Sequence, residues 1–159
     1  MPDVYRQAAS MLLVRHVPSR GHEKEPLQFL LLHKPRKRDA WQLPQGGMEA
    51  GETVEQAAVR ELQEEAGITQ VKMLQTSDIV YQYEFPQSYR RFRPDNIRGQ
   101  RIGFVIAQTS PETPVQVDDK EIDQYQWISL SELGHYVRRP EYVTIVRKLY
   151  DEALTLVPR

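Results

Sequence analysis

The run Thr53-Val-Glu-Gln-Ala-Ala-Val-Arg60-Glu-Leu-Gln-Glu-Glu-Ala-Gly67 constrains the chain more than any other segment. Thr53 followed three residues later by Gln56 is a capping-box pattern, and Gly67 after a stretch of good helix formers is a stop signal. The spacing predicts a helix from about Val54 to Ala66. At about 100° of rotation per residue, Glu61, Glu64 and Glu65 share one arc with Val54, Ala57 and Ala58. The small apolar face that should pack on a sheet therefore carries carboxylates, the reverse of an ordinary amphipathic helix. Like charges at these spacings repel by about 0.2–0.5 kcal/mol when exposed, and by much more when desolvated, unless a cation neutralises them. A Glu-rich helix is ordinarily a solvated face; here the placement favours a bound ion.

The rest of the chain supplies a sheet for that helix. Its 159 residues, 40% of them apolar, fit a single domain (1–159) with one substantial core, which disfavours intrinsic disorder. Ala8 to Val14 and Phe29 to Leu32 are short apolar runs that read as buried strands, separated by a polar loop over 18–26. Further strands are expected at Val71–Leu74, Ile79–Tyr83, Ile102–Ile106 and Tyr125–Ile128, a helical turn from Ser131, and a closing helix from Pro140 to about Leu154. Strands mixed with two substantial helices imply an α/β or α+β domain whose sheet is covered on both faces. A net charge of −1 argues against a basic nucleic-acid coat or an acidic tail, so charge effects must be local. With no cysteine, disulfides, thiolate zinc sites and Cys nucleophiles are excluded. No window approaches the length of a membrane span, and the start lacks a leader pattern, so the expectation is a soluble cytoplasmic protein with no membrane partner.

Carboxylates without a neighbouring His or Cys make an all-oxygen site, which selects Mg²⁺ or Mn²⁺ over zinc or copper. Such sites complete their shell with water and substrate phosphate oxygens, which points to a phosphorylated substrate. Pro44-Gln-Gly46-Gly47 leads towards the helix, and the glycine pair permits positive φ and close backbone approach to an ion or phosphate. Two adjacent glycines are otherwise simply a turn.

Gly46, five residues, Glu52, seven residues, then Arg60-Glu-Leu-Gln-Glu-Glu-Ala-Gly-Ile68 resembles the Nudix box at every defining position over residues 46–68. The resemblance implies an α/β/α sandwich with a mixed central sheet, and hydrolysis of a nucleoside diphosphate linked to another group. It implies Glu61, Glu64 and Glu65 as metal ligands with a contribution from the Gly47 carbonyl, and Arg60 with Glu52 as a supporting pair. An Arg beside several carboxylates lowers their repulsion and can hold one bidentately, independently of the family. The proton acceptor for the attacking water is Glu64 or Glu65, or else Glu121 from the loop before the last strand; the residues leave this open.

Outside the box, Trp41-Gln-Leu-Pro-Gln-Gly-Gly47, Tyr83-Glu-Phe-Pro86, Gly99-Gln100 and Glu121 with Trp127 are similar to the branch of RNA pyrophosphohydrolases and dinucleoside polyphosphate hydrolases. That similarity implies metal or catalytic assistance from Glu121, and substrate contacts by Tyr83 and Gln100. Tyr83 also reads as a buried strand aromatic, and Glu121 as a plain loop residue. Gly103-Phe104 departs from the Trp-Phe pair common in that branch. Tyr89-Arg-Arg91-Phe-Arg93 interleaves cations and rings as single-strand binders do, and Arg36-Lys37-Arg38 precedes Trp41; Arg36, Arg91 and Arg93 are candidate phosphate contacts, with a solvated basic loop as the alternative. His16, His22, His33 and His135 show no ligand spacing. The reading is a Mg²⁺-dependent (or Mn²⁺-dependent) pyrophosphohydrolase acting on a dinucleoside polyphosphate or on the 5′-triphosphate end of RNA. The alternatives are a non-catalytic Nudix-like nucleotide- or RNA-binding module and a simple divalent-cation binder.

Overall fold

A computed structural model describes residues 4–17, 26–35, 37–87 and 97–158 of the chain. Its central strand, β1 (Val4–His16), is buried from Ala8 to Val14 because both faces of the sheet are covered, which is why that run lacks polar alternation. On one side β1 pairs in parallel with β6 (Ile97–Gln108), Ala8 opposite Ile102. Its other edge is shared: Ala8 to Ser10 pair with β4 (Gln45–Gly47), and Val14 to His16 with β2 (Leu27–His33), both antiparallel. With β3 (Trp41–Gln42), β5 (Lys72–Glu84) and β7 (Gln124–Ile128), these make a mixed seven-stranded sheet of order β3-β2-β1-β6-β5, β4 lying on β1 and β7 on β2.

Alternate residues of β1 serve the two faces. Leu12 and Val14 face α2 (Leu133–Tyr136) and α3 (Pro140–Leu156), through Tyr142, Val146 and Leu149. Met11 and Leu13 face α1 (Val54–Ala66), through Ala57, Ala58 and Leu62. The expected sandwich is therefore what forms. The α1 caps are those the sequence specifies: Gln56 N–H donates to Thr53 Oγ1 at 3.1 Å, Thr53 N–H to Gln56 Oε1 at 3.0 Å, and Gly67 closes the helix at φ 68°. Pro140 opens α3 at its first position, where its missing N–H is harmless, and the helix runs to Leu156, two residues past the expected end. A 3₁₀ turn at Leu130–Glu132 occupies the place expected for a helical turn from Ser131.

The two strands expected at 71–74 and 79–83 are one, β5. Its pairing with β6 slips between Thr76 and Val80, where Ser77 Oγ accepts the Ile79 N–H at 3.0 Å and donates to Glu152 at 2.8 Å; this irregularity breaks the alternation that the sequence reading relies on. The glycine pair differs from expectation too. Among the described residues only Gly51 and Gly67 are glycines with positive φ, so Gly46 and Gly47 are extended strand residues and their role is space. At Gly103, a Cβ would sit 3.2–3.3 Å from both γ-methyls of Val54, so the absence of a side chain there lets α1 seat closely on β6.

Gly99 sets the end of the β5–β6 ladder that carries Tyr83. A Cβ there would lie 2.0 Å from the Tyr83 carbonyl oxygen and 2.8 Å from Glu84 Cα, both backbone atoms that cannot step aside. Gly99→Ala is expected to lower unfolding free energy by roughly 1–3 kcal/mol in urea titrations. At Gly134 a Cβ meets nothing within 4 Å, so Gly134→Ala should stay within about 0.5 kcal/mol of the parent. Equal behaviour of the two variants would contradict this packing.

Candidate active site

Helix α1 delivers its carboxylates to the point where β4 passes beneath it. Glu65 is 2% exposed, and its Oε1 accepts the Gln45 N–H at 3.0 Å. One turn earlier the Glu61 carboxyl lies directly over Gly46, whose Cβ, if present, would be 2.0 Å from Glu61 Cδ. The close approach that a glycine permits is thus used for a carboxylate. Glu64, with a side chain 58% exposed, stands at the rim. The shared arc of the helix therefore splits into a buried, a half-buried and an exposed acid.

Arg60 organises this set. Its Nε and Nη2 donate to Glu52 at 2.8 and 2.9 Å in a bidentate pair, Nη1 donates to Glu61 at 2.8 Å and Glu64 at 3.3 Å, and Nη2 also donates to the Gly47 carbonyl at 2.9 Å. Hydrogen bonding from Arg60, with help from the Glu49 N–H, holds the Glu52 carboxyl down at about 2, and these partners hold the Arg60 guanidinium firmly charged. Loss of solvent pushes Glu61 above the ordinary range, against the pull of Arg60, and the negative charges of Glu64 and Glu121 add to it. Burial pushes Glu65 up to about 8; the Gln45 N–H and Lys34 oppose this, while Glu61 and Glu121 reinforce it.

Two cavities meet over β4. The larger, of ≈700 Å³, is lined by the acids Glu61, Glu64, Asp119, Glu121 and Asp123 and by the bases Arg6, Lys34, Lys37 and Lys120. The smaller, of ≈210 Å³, shares Arg6, Lys34, Lys37 and Gln45–Gly47 with it, then continues between Tyr81, Tyr83, Phe85, Gln42, Gln100 and Tyr142. The loop bearing Glu121 is fixed by Asp118, whose Oδ1 accepts the N–H groups of Lys120, Glu121 and Ile122 at 3.1, 3.1 and 2.9 Å.

The structure thus brings Gly47, Glu52, Arg60, Glu61, Glu64, Glu65 and Glu121 to one site, with Tyr83 and Gln100 in the adjoining cavity. Arg36, Arg91 and Arg93 lie outside the described residues. Arg6, Lys34, Asp119 and Asp123 were not singled out by their local sequence: Arg6 reaches the site because β1 pairs with both β4 and β6, with Arg6 opposite Gln100 and its guanidinium beside Gly47. His33 faces Asp123 at 2.5 Å in a local pair.

The donor set suits a hard cation. The ligand-capable side chains around Arg60 are all carboxylates, and Glu61 and Glu65 are held towards their neutral forms by desolvation and mutual repulsion, a penalty that a divalent charge relieves. Among the described residues no three His, Asp or Glu side chains are gathered into a ready-made metal cage, since Arg60 and the Gln45 N–H hold Glu61 and Glu65 in the arrangement seen here. Sites of this kind finish their shell with water and substrate.

The sequence model of the NUDIX domain matches residues 6–152. An RNA pyrophosphohydrolase of a Nitratiruptor species is 29% identical over 132 residues, 79% of this chain and 84% of that protein. One from Francisella tularensis subsp. mediasiatica is 32% identical over 126 residues, 76% and 78%. Among solved structures, a C. elegans Ap4A hydrolase binary complex superposes with a TM-score of 0.73 at 22% identity, covering 94% of this chain and 98% of its own.

Because Glu65 rises from an ordinary 4.5 to about 8 on folding, its neutral form is the one the fold favours. The corresponding stability is full below about pH 4.5 and is lost as pH climbs through about 8. In metal-free buffer, Glu65→Gln should flatten the fall in thermal midpoint across that window and unfold at a higher temperature than the parent at pH 8. Parallel midpoint-against-pH curves for the two proteins would contradict the assignment.

Proposed function

The chain belongs to the Nudix family and is a pyrophosphohydrolase; from that premise we propose that it cleaves a dinucleoside polyphosphate, such as diadenosine tetraphosphate, or the 5′-triphosphate end of RNA, with Mg²⁺ or Mn²⁺. The observation that carries this is the union of acidic and basic side chains in one cleft: Glu61, Glu64 and Glu121 line it together with Arg6, Lys34 and Lys37. An anionic ligand alone gains nothing from the acids, and a cation alone gains nothing from the lysines. A polyphosphate carrying its counter-ion uses both, which disfavours a purely binding module and a plain cation binder.

In this reading Glu61, Glu64, Glu65 and Glu121, with the second lone pair of the Gly47 carbonyl, hold the cation. When bound, that ion neutralises phosphate charge and lowers the pKa of a coordinated water. The protein's own groups do the rest. Glu52 fixes the Arg60 fork, and Arg60 sets the directions of Glu61 and Glu64, so the carboxylates are in place before substrate arrives. Arg6, Lys34 and Lys37 line the junction of the two cavities, where they offset the charge of a polyphosphate chain and hold it in line for attack. Water attacks phosphorus, the P–O bond to the bridging oxygen breaks, the phosphate fragment that keeps that oxygen leaves, and the water's proton passes to a carboxylate. Glu64 suits that last task, because it is the solvent-facing member of the set and lines the cleft. Tyr83 supplies a ring for a base in the smaller cavity and Gln100 a polar contact. Arg36, Arg91 and Arg93 add phosphate contacts for longer substrates.

Diadenosine tetraphosphate, triphosphorylated RNA and ADP-ribose, offered side by side with Mg²⁺, test the proposal. One of the first two should be cleaved fastest, chelation should abolish turnover, and Glu64→Gln should lower kcat by about 10²–10⁴ with an unchanged thermal midpoint. ADP-ribose as the best substrate would overturn the substrate reading, and a near-normal rate in the variant would overturn the role of Glu64.

A further inference from the structure

Asp39, in the loop between β2 and β3, is one of two described non-glycine residues with a positive φ, at 48°. A side chain is strained there and glycine is not, so the position points to a task for the carboxylate itself. Its two oxygens show the task. Oδ1 accepts the Arg138 N–H at 2.9 Å and Oδ2 accepts Arg139 Nε at 2.6 Å, which ties the loop to the residues before α3. Arg139 Nη2 donates to the Trp41 carbonyl at 3.4 Å, and the guanidinium carbon lies 4.4 Å from the centre of the Tyr142 ring. Tyr142 is fixed in turn, because its Oη accepts the Leu43 N–H at 2.9 Å. The Arg139 side chain is still 38% exposed, and its Nη1 bonds to no described residue. Fastening the loop uses Nε and leaves that end of the guanidinium available.

The cavity that Arg139 borders indicates what it meets. Arg139 lines the smaller cavity and not the larger. Four cations, Arg6, Lys34, Lys37 and Arg139, line the smaller cavity with no carboxylate among them, whereas the larger has five acids. Such a lining favours an anion. Arg6, Lys34 and Lys37 border both cavities and so serve the phosphates nearest the carboxylates. Arg139 borders only the part that the acidic cleft does not share, where its charge bears on the phenols of Tyr81 and Tyr142. A nucleoside whose 5′-phosphates occupy the shared part carries a further anion on the other side of its ribose. A dinucleoside polyphosphate has every phosphate between its two nucleosides, but a strand end has a phosphodiester on the 3′ oxygen of its first. We propose that Asp39 is a positioning residue that holds Arg139 as a contact for a phosphate on the 3′ side of the substrate's first nucleoside. This rests on the nucleotide-substrate reading above, and it makes a strand end the better held of the two substrates named there.

Titrations of the whole protein with adenosine 5′-monophosphate and adenosine 3′,5′-bisphosphate, in one Mg²⁺ buffer, test this; neither ligand has a pyrophosphate bond to cleave. The parent should bind the bisphosphate about tenfold more tightly, the effect of one charge-assisted hydrogen bond at a partly exposed site. Arg139→Gln should bring the two affinities within about twofold of each other while changing the monophosphate by less than about twofold. Asp39→Asn keeps a residue that tolerates positive φ and an oxygen for the Arg138 N–H, but it loses the charge that holds Nε. It should cut the bisphosphate preference to about threefold or less, and should cut it no further when Arg139→Gln is already present. Asp39→Gly, whose backbone accepts φ 48° without strain, gives the same reading if Asp39→Asn does not fold. Four results would overturn the proposal: no bisphosphate preference in the parent, a preference that survives Arg139→Gln, equal loss of both ligands in that variant, or a further loss from position 39 in the double variant. The second would mean general attraction to the other cations, the third a contact to the base or 5′-phosphate. If the preference and its loss are as expected while no polyphosphate is hydrolysed, the Arg139 contact stands and the hydrolytic reading falls; hydrolysis without the preference is the reverse.

Discussion

Everything at this site depends on how carboxylates are kept beside a packed core, and Arg60 is the residue that makes that arrangement tolerable. Its guanidinium engages all three nitrogens at once, on Glu52, on Glu61 and Glu64, and on the Gly47 carbonyl. One side chain thereby ties the loop before α1, the helix itself and strand β4. Without it, Glu61 would stand half-buried with Glu64 and Glu121 as like-charged neighbours. The planar fork matters, since a lysine has no geometry that engages one carboxylate bidentately and two others in the same plane.

The helix dictates a second constraint. An acid at position 65 is buried on the face of α1 that packs on the sheet, and it finds a partner there because β4 presents the Gln45 N–H. Gly46 is the counterpart of that arrangement, a strand residue without a Cβ under the Glu61 carboxyl. Loop, helix and strand are therefore matched atom by atom, and the site does not separate from the fold that holds it.

How much of this could be read from the chain follows the same logic. The helix and its caps were legible because Thr53, Gln56 and Gly67 act locally, and the clash between acids and alanines on one arc was visible from rotation alone. β1 and β2 showed as apolar runs because both their faces are covered. What depends on distant pairing was not legible. β4 is three residues long and carries no strand signal of its own, and Gly46 is accounted for by the Glu61 carboxyl above it, not by turn geometry. β5 looked like two strands because its ladder slips near Ser77. Arg6 and Lys34 sit in unremarkable local sequence, and the pairing of β1 with β4 and β6 is what brings Arg6 to the cavities.

The central claim is that the inward-facing Glu61 and Glu65 of α1 and Glu64 at the rim share a divalent ion in the cleft. A crystal structure with Mn²⁺, located by its anomalous signal, tests it most directly. The account predicts an ion within about 2.0–2.4 Å of carboxylate oxygens from Glu61, Glu64 or Glu65, with Arg60 still paired to Glu52. A metal peak away from α1, or those carboxylates bound to Arg60 and solvent alone at saturating Mn²⁺, would contradict it.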